Sequence, residues 1–144
     1  MPLIRERLAA CQTVKFSPHG ISMLPMLRQG KDSVLLSPVE GRLKKYDLPL
    51  YQRKNGQYVL HRIIQAGETY TCMGDNQFAA EPGIGHDQLI AVVTAFTRGA
   101  RTRSVKSPVY RLYCVFWHRT RLVRRLWRGL KRRAKQLFVR GKKR

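Results

Sequence analysis

Three short strings carry side chains able to do chemistry together. The first is Gly20-Ile21-Ser22-Met23-Leu24-Pro25, in which a serine between a glycine and a proline can sit on a tight turn with its hydroxyl outward. The second is Tyr58-Val59-Leu60-His61-Arg62-Ile63-Ile64, where a histidine interrupts an apolar run. The third is Met73-Gly74-Asp75-Asn76, a turn signature carrying an acid, with Glu81 following it. A hydroxyl is a weak nucleophile at neutral pH, and a neighbouring imidazole is the usual means of activating it. An unperturbed imidazole pKa of about 6.5 suits the work of a general base. An acid behind the imidazole orients it and stabilises its charged form, and Asp75 and Glu81 are both candidates. Each string alone reads more readily as plain structure: Ser22 as a turn residue, His61 as a packed strand residue, Gly74–Asn76 as a turn.

These residues need a scaffold, and residues 13–97 read as β structure. Val34-Leu35-Leu36 forms a strand ended by Ser37-Pro38. Leu48 to Arg53 forms another, with Pro49 pointing to an edge or a bulge. Asn55-Gly56 fits a tight hairpin turn. Gln57 to Gln65 reads as one return strand, with Val59, His61 and Ile63 on one face. Thr69 to Met73 is a third strand of the meander, Glu81 to Asp87 a Gly/Pro-containing loop, and Leu89 to Phe96 an apolar last strand. Residues 2–11 fit a short helix.

Charge divides the chain unevenly. Residues 1–97 hold 11 Lys/Arg and all 8 Asp/Glu, whereas residues 98–144 hold 18 Lys/Arg and no acid. The formal charge of +21 therefore belongs to a tail. In that tail Leu112, Phe116, Val123, Leu126, Leu130, Ala134 and Leu137 share one arc at about 100° per residue. Arg121, Arg124, Arg125, Arg128, Arg132 and Lys135 lie opposite. This is a basic amphipathic helix, or two helices split near Gly129, with Ser107-Pro108 as its start signal. Three roles fit it: a helix packing its apolar face on the domain, a helix lying on an anionic membrane surface through Trp117, Arg121, Arg124, Arg125, Trp127, Arg128 and Phe138, or a nucleic-acid binder using phosphate contacts. No nucleic-acid motif supports the last.

Order and spacing of the three strings resemble the signal peptidase I and LexA-like serine peptidase superfamily. The resemblance spans about Val14 to Thr97. It rests on Gly-x-Ser-Met-x-Pro at Gly20–Pro25, Leu-His-Arg-Ile at Leu60–Ile63 and Gly-Asp-Asn at Gly74–Asn76, with Tyr46-Asp47 and Gln88–Val93 also in order. Most bacterial members place a lysine where this chain has His61, so the chain looks like the Ser/His branch typical of archaeal and endoplasmic-reticulum signal peptidases. The resemblance implies coiled β-sheets, Ser22 as nucleophile, His61 as general base, Asp75 or Glu81 as third member, and an extended peptide as substrate. In that branch the second acid is usually Asp, where this chain has Glu81. Gly20 supplies no hydroxyl for an oxyanion, and the usual Gly-Asp appears as Gly30-Lys31-Asp32.

The expected organisation is an N-terminal extension over 1–12, a catalytic domain over 13–98 and a helical tail over 99–144. No cofactor or metal is expected. Cys11, Cys72 and Cys114 are an odd, scattered set that reads as free thiols, and Cys72 as a small buried residue. His19, His86 and His118 read as structural or solvated. No signal peptide or run of ~20 apolar residues is evident, which points to a cytoplasmic or peripherally membrane-associated protein. The alternatives to a peptidase acting in trans are a self-cleaving LexA-like protein and a non-catalytic protein whose basic tail binds a membrane or nucleic acid.

Overall fold

A computed structural model describes the backbone of residues 2–10 and 12–141. Cys11 lies outside the described residues, as do the side chains of Arg128, Arg132, Ala134, Lys135, Leu137 and Phe138. The chain runs α1 (Pro2–Ala9), β1 (Val14–Phe16), β2 (Asp32–Ser37), β3 (Pro49–Gln52), β4 (Tyr58–Leu60), β5 (Arg62–Ala66), β6 (Tyr70–Met73), β7 (Glu81–Ile84), β8 (Leu89–Arg98), β9 (Arg101–Ser104), α2 (Pro108–Arg119) and α3 (Arg121–Gly141). The architecture is mainly β with a helical C-terminal region. All strand pairs are antiparallel. One sheet has the order β1-β2-β8-β3-β4, with β9 added to β8; the other is β5-β6-β7.

The larger sheet curls. Val14 from one edge strand and Leu60 from the other belong to one core cluster, with Met23, Leu27, Leu36 and Leu50. A second cluster, around Tyr51, Ile63, Tyr70 and Ile84, fills the space against the smaller sheet. Pro49 begins β3, where its missing N–H costs no ladder bond. The register against β8 slips between Leu50 and Tyr51, which is a bulge. β3 is nonetheless an interior strand, not an edge.

The return strand expected over 57–65 is two strands. β4 pairs with β3 in the larger sheet, β5 pairs with β6 in the smaller, and His61 stands between them outside either ladder. Alternation fails here because the chain changes sheets: Val59, Leu60, His61, Arg62 and Ile63 are all buried. The stretch from Glu81, expected as loop, instead contains the edge strand β7, in which Pro82 is tolerated because an edge strand need not donate on its open side. The 3₁₀ turn His86–Gln88 follows it.

The sheet also continues past residue 98. Gly99, at φ +62°, turns the chain into β9, which sequence reading missed because Arg101–Ser104 has no apolar face. Ser107 then caps α2, its Oγ accepting from the Tyr110 N–H at 3.3 Å, with Pro108 in the first turn. The helical region divides at Thr120, not near Gly129, which lies inside α3.

Among the described residues, the apolar arc of the tail does not pack on the domain. α2 docks through buried Tyr110 and Cys114 and half-buried Tyr113 and Trp117, whereas Leu112, Phe116, Val123, Leu126 and Leu130 are exposed. Among the described residues, no helix is long and apolar enough to cross a membrane.

Candidate active site

Ser22 sits in the connection between β1 and β2, a loop closed at its ends by local hydrogen bonds. Gly20, at φ +91°, donates its N–H to Gln29 Oε1 at 2.8 Å. Arg28 forms a two-pronged ion pair with buried Asp32 at 2.8 and 2.9 Å, and Asp32 Oδ2 also accepts from the Arg28 N–H. That pairing holds the Asp32 carboxyl below the usual carboxylate range. Asp32 is therefore the clasp of the serine loop. Met23, Met26 and Leu27 anchor the loop in the core and leave Ser22 half-buried.

The Gly74–Asn76 turn buttresses the same loop. Asn76 donates its N–H to Ser22 O at 2.8 Å, and its amide Nδ2 donates to Ile21 O at 3.0 Å. A side chain at residue 74 would bring its Cβ to 2.7 Å from Ser22 O, so only glycine permits this approach. The structure thus brings the first and third strings into direct contact.

Ser22 and His61 line one cavity of about 220 Å³, together with His19, Arg53, Tyr58 and Gln77. The cavity lies where both edges of the larger sheet converge, Pro18–Gly20 following β1 and Tyr58–Leu60 forming β4. His61 is 4% exposed, and burial first, then the nearby Arg53 charge, push its pKa down to about 4. Its imidazole is therefore neutral near pH 7.

The hydrogen bonds around His61 fix its tautomer. Tyr51 has one hydroxyl proton and donates it to Glu81 Oε2 at 2.8 Å. The contact between Tyr51 Oη and His61 Nδ1, at 3.4 Å, then has to run from the ring N–H to the phenol oxygen. That leaves Nε2 unprotonated and able to accept. Arg53 grips Glu81 through Nε and Nη2 at 2.7 and 2.6 Å, and this pairing lowers the Glu81 carboxyl pKa. Glu81 stays ionised behind the phenol. Burial raises the Tyr51 phenol pKa, and the bond to Glu81 adds to it, so the hydroxyl keeps its proton.

Asp75 has other partners. Both carboxylate oxygens accept from Arg62 at 2.8 Å, and Oδ2 also accepts from Tyr113 at 3.0 Å. Arg62 also donates to Tyr110 Oη at 2.7 Å and approaches Met26 Sδ at 3.0 Å. The Asp75 carbonyl accepts from the Trp117 indole N–H at 2.7 Å. Arg62–Asp75 is thus a buried knot tying the serine loop, the Gly-Asp-Asn turn and α2 together. Its partners, and not His61, occupy the Asp75 carboxylate.

Comparison with known proteins finds no matching family model, no matching curated protein and no matching solved structure.

Three contributors escaped sequence reading: Tyr51, Arg53 and Arg62. Arg62 had a usable signal, because a charged residue inside an apolar run must find a buried partner. Tyr51 and Arg53 had none, since their link to Glu81 depends on how β3 and β7 lie in space. Among the other histidines, His86 contacts Tyr70 Oη at 3.2 Å and His118 meets Tyr46 edge-on at 6.1 Å between ring centres. Cys72 is buried and free, with its thiol pushed up to about 12 by burial. Among the described residues, no cluster of His, Cys, Asp or Glu could hold a metal.

Proposed function

We propose that this chain is a serine endopeptidase that cleaves an extended peptide through an acyl-enzyme, with Ser22 as nucleophile and His61 as general base. The single observation carrying this reading is the shared cavity, in which a half-buried serine and a neutral histidine line one opening. The resemblance to the signal peptidase and LexA-like superfamily supports the same pair.

His61 Nε2 takes the Ser22 Oγ proton as Oγ attacks the peptide carbonyl. The imidazolium then protonates the leaving amine, and water, deprotonated by the same nitrogen, resolves the ester. Productive geometry requires Oγ and Nε2 within about 2.6–3.2 Å in the substrate complex. Tyr51 is a positioning residue that holds the ring through Nδ1, with the Glu81 carboxylate behind it. The open edges of β1 and β4 flank the cavity, and an extended peptide can pair with such an edge through its backbone.

The test is incubation with candidate precursor peptides and mass spectrometry of the products. Wild type gives two fragments from one scissile bond, and Ser22→Ala gives none while keeping the wild-type circular dichroism spectrum. Full cleavage by Ser22→Ala would remove Ser22 from the mechanism. A finer prediction concerns Tyr51→Phe. Loss of one oriented hydrogen bond lowers kcat/KM roughly tenfold. Because the phenol also supports the imidazolium, the acid limb of the pH profile moves further down. A merely structural Tyr51 lowers stability and leaves that limb in place.

A further inference from the structure

α2 and α3 present a bare apolar stripe. Val109, Leu112 and Phe116 of α2 are 64–70% exposed and lie on the opposite side of the helix from the docked Tyr110 and Cys114. α2 is therefore apolar on two faces, and the domain covers one. The stripe continues into α3 with Leu122, Val123, Leu126, Trp127 and Leu130, each 59–71% exposed. It continues because Thr120 N–H donates to Phe116 O and Arg124 N–H to Thr120 O, keeping helical spacing across the junction. From Val109 to Leu130 the stripe spans roughly 32 Å at about 1.5 Å per residue. Basic side chains hold the flank: Arg121, Arg125 and Lys131 fall on the other side of α3.

A second, independent feature sits at the start of this stripe. A cavity of about 330 Å³ lies between β8, β9 and α2, walled by Phe96, Tyr110 and Val109 and lined by Arg98, Arg101 and Arg103. Strand alternation puts Arg101 and Arg103 on one face of β9, and Arg98 pairs directly opposite Arg101. Like charges in directly opposed positions repel. Arg98 has the Asp32 carboxylate opposite it in the β2–β8 ladder, whereas Arg101 and Arg103 fall outside the described ion pairs, Arg28–Asp32, Arg53–Glu81 and Arg62–Asp75. An anion entering the cavity relieves the repulsion, and the apolar walls suit the glycerol and upper acyl carbons that a lipid phosphate brings with it.

We infer that the α2–α3 stripe and the Arg98/Arg101/Arg103 cavity form one docking surface for an anionic phospholipid membrane, with the lipid phosphate held by the three arginines. A stripe of this length with a cationic flank has the composition of an interfacial helix. Nucleic acid satisfies the charge but leaves the apolar stripe in water. The surface does not depend on the peptidase reading.

Trp117 and Arg124 are not free for lipid. The Trp117 indole is bonded to Asp75 O, and the Arg124 guanidinium stacks 3.6 Å from the Trp117 ring centre. They instead tie the docking helices to the turn that braces Ser22, so the cavity holding Ser22 rides with the membrane-bound helices.

The test is flotation of the full chain with vesicles of 70:30 phosphatidylcholine:phosphatidylglycerol and of pure phosphatidylcholine, with Trp127 emission recorded. Wild type floats with the anionic vesicles, releases from them at high salt, and shows a blue shift that Trp127→Phe removes. Arg101→Gln and Arg103→Gln each weaken binding roughly fivefold. Leu126→Glu, at an exposed site, weakens it tenfold or more with an unchanged melting temperature. Equal flotation with both vesicle types, undiminished binding by Leu126→Glu, or binding to DNA with no flotation would each overturn the proposal. So would a solution dimer that buries the stripe and does not bind vesicles.

Discussion

His61→Ala lowers the rate at which Ser22 is acylated by about 10²–10⁴-fold, the range expected for losing a positioned general base. The substitution removes a buried ring, so the variant is compared at a temperature where circular dichroism shows it folded. A fluorophosphonate probe, in which Ser22 Oγ bonds to phosphorus as fluoride leaves, reports the same general-base activation without knowledge of the natural substrate. pH adds a signature that mere misfolding cannot imitate. The competent base is neutral imidazole, and burial together with Arg53 holds its pKa near 4. Labelling by wild type therefore stays level as pH falls through 6.5 and is lost only toward pH 4. An acid limb centred near 6.5 would mean a solvated histidine and contradict the buried site. Stability follows the same sign. His61 binds a proton more readily unfolded than folded, so stability is full above about pH 6.5 and declines as pH falls toward 4. Glu81 and Asp32, whose ion pairs hold both pKa values below the usual carboxylate range, add to that loss as pH falls through that range.

Asp75→Ala costs about 3–5 kcal/mol of folding stability, because it strands the Arg62 guanidinium in the core. Both side chains are 3% exposed, so water cannot replace the lost carboxylate. For a domain worth roughly 5–15 kcal/mol in total, that loss approaches unfolding at 37 °C. Urea denaturation followed by circular dichroism measures it. The double substitution Arg62→Met/Asp75→Leu recovers most of the loss, since a neutral pair leaves no charge unpaired. A loss below about 1 kcal/mol would show that the knot is far more solvated than its geometry implies. The result also separates the two acids. Glu81→Gln keeps both Arg53 and Tyr51 within reach and acts on catalysis, whereas Asp75→Ala acts on the fold.

Much of this architecture is written locally. Asn55-Gly56 makes the β3–β4 hairpin, Ser107-Pro108 starts α2, and the Val34–Leu36 and Leu89–Phe96 runs become neighbouring strands β2 and β8. What stayed hidden depends on the third dimension. The break at His61 arises because the chain crosses between sheets, and an apolar run reads the same whether it crosses or continues. β9 is polar on both faces and offers no pattern. β7 looked like a loop because Pro82 and Gly83 are punctuation in sequence, yet both are acceptable on an edge. The two acids were visible as candidates, but which side chains each one binds depends on Arg62 and Tyr51, whose partners lie 13 and 30 residues away. The tail was legible as amphipathic. That its apolar arc faces outward follows from α2 docking through Tyr110, Cys114 and Trp117, residues that the arc did not include.

The most direct measurement is intact mass followed by peptide mapping after reaction with a fluorophosphonate. One adduct per chain, located on Ser22, absent in Ser22→Ala and formed far more slowly in His61→Ala, is the expected result. No adduct on folded wild-type protein, or an adduct on a different residue at the wild-type rate, would contradict an activated serine in this cavity.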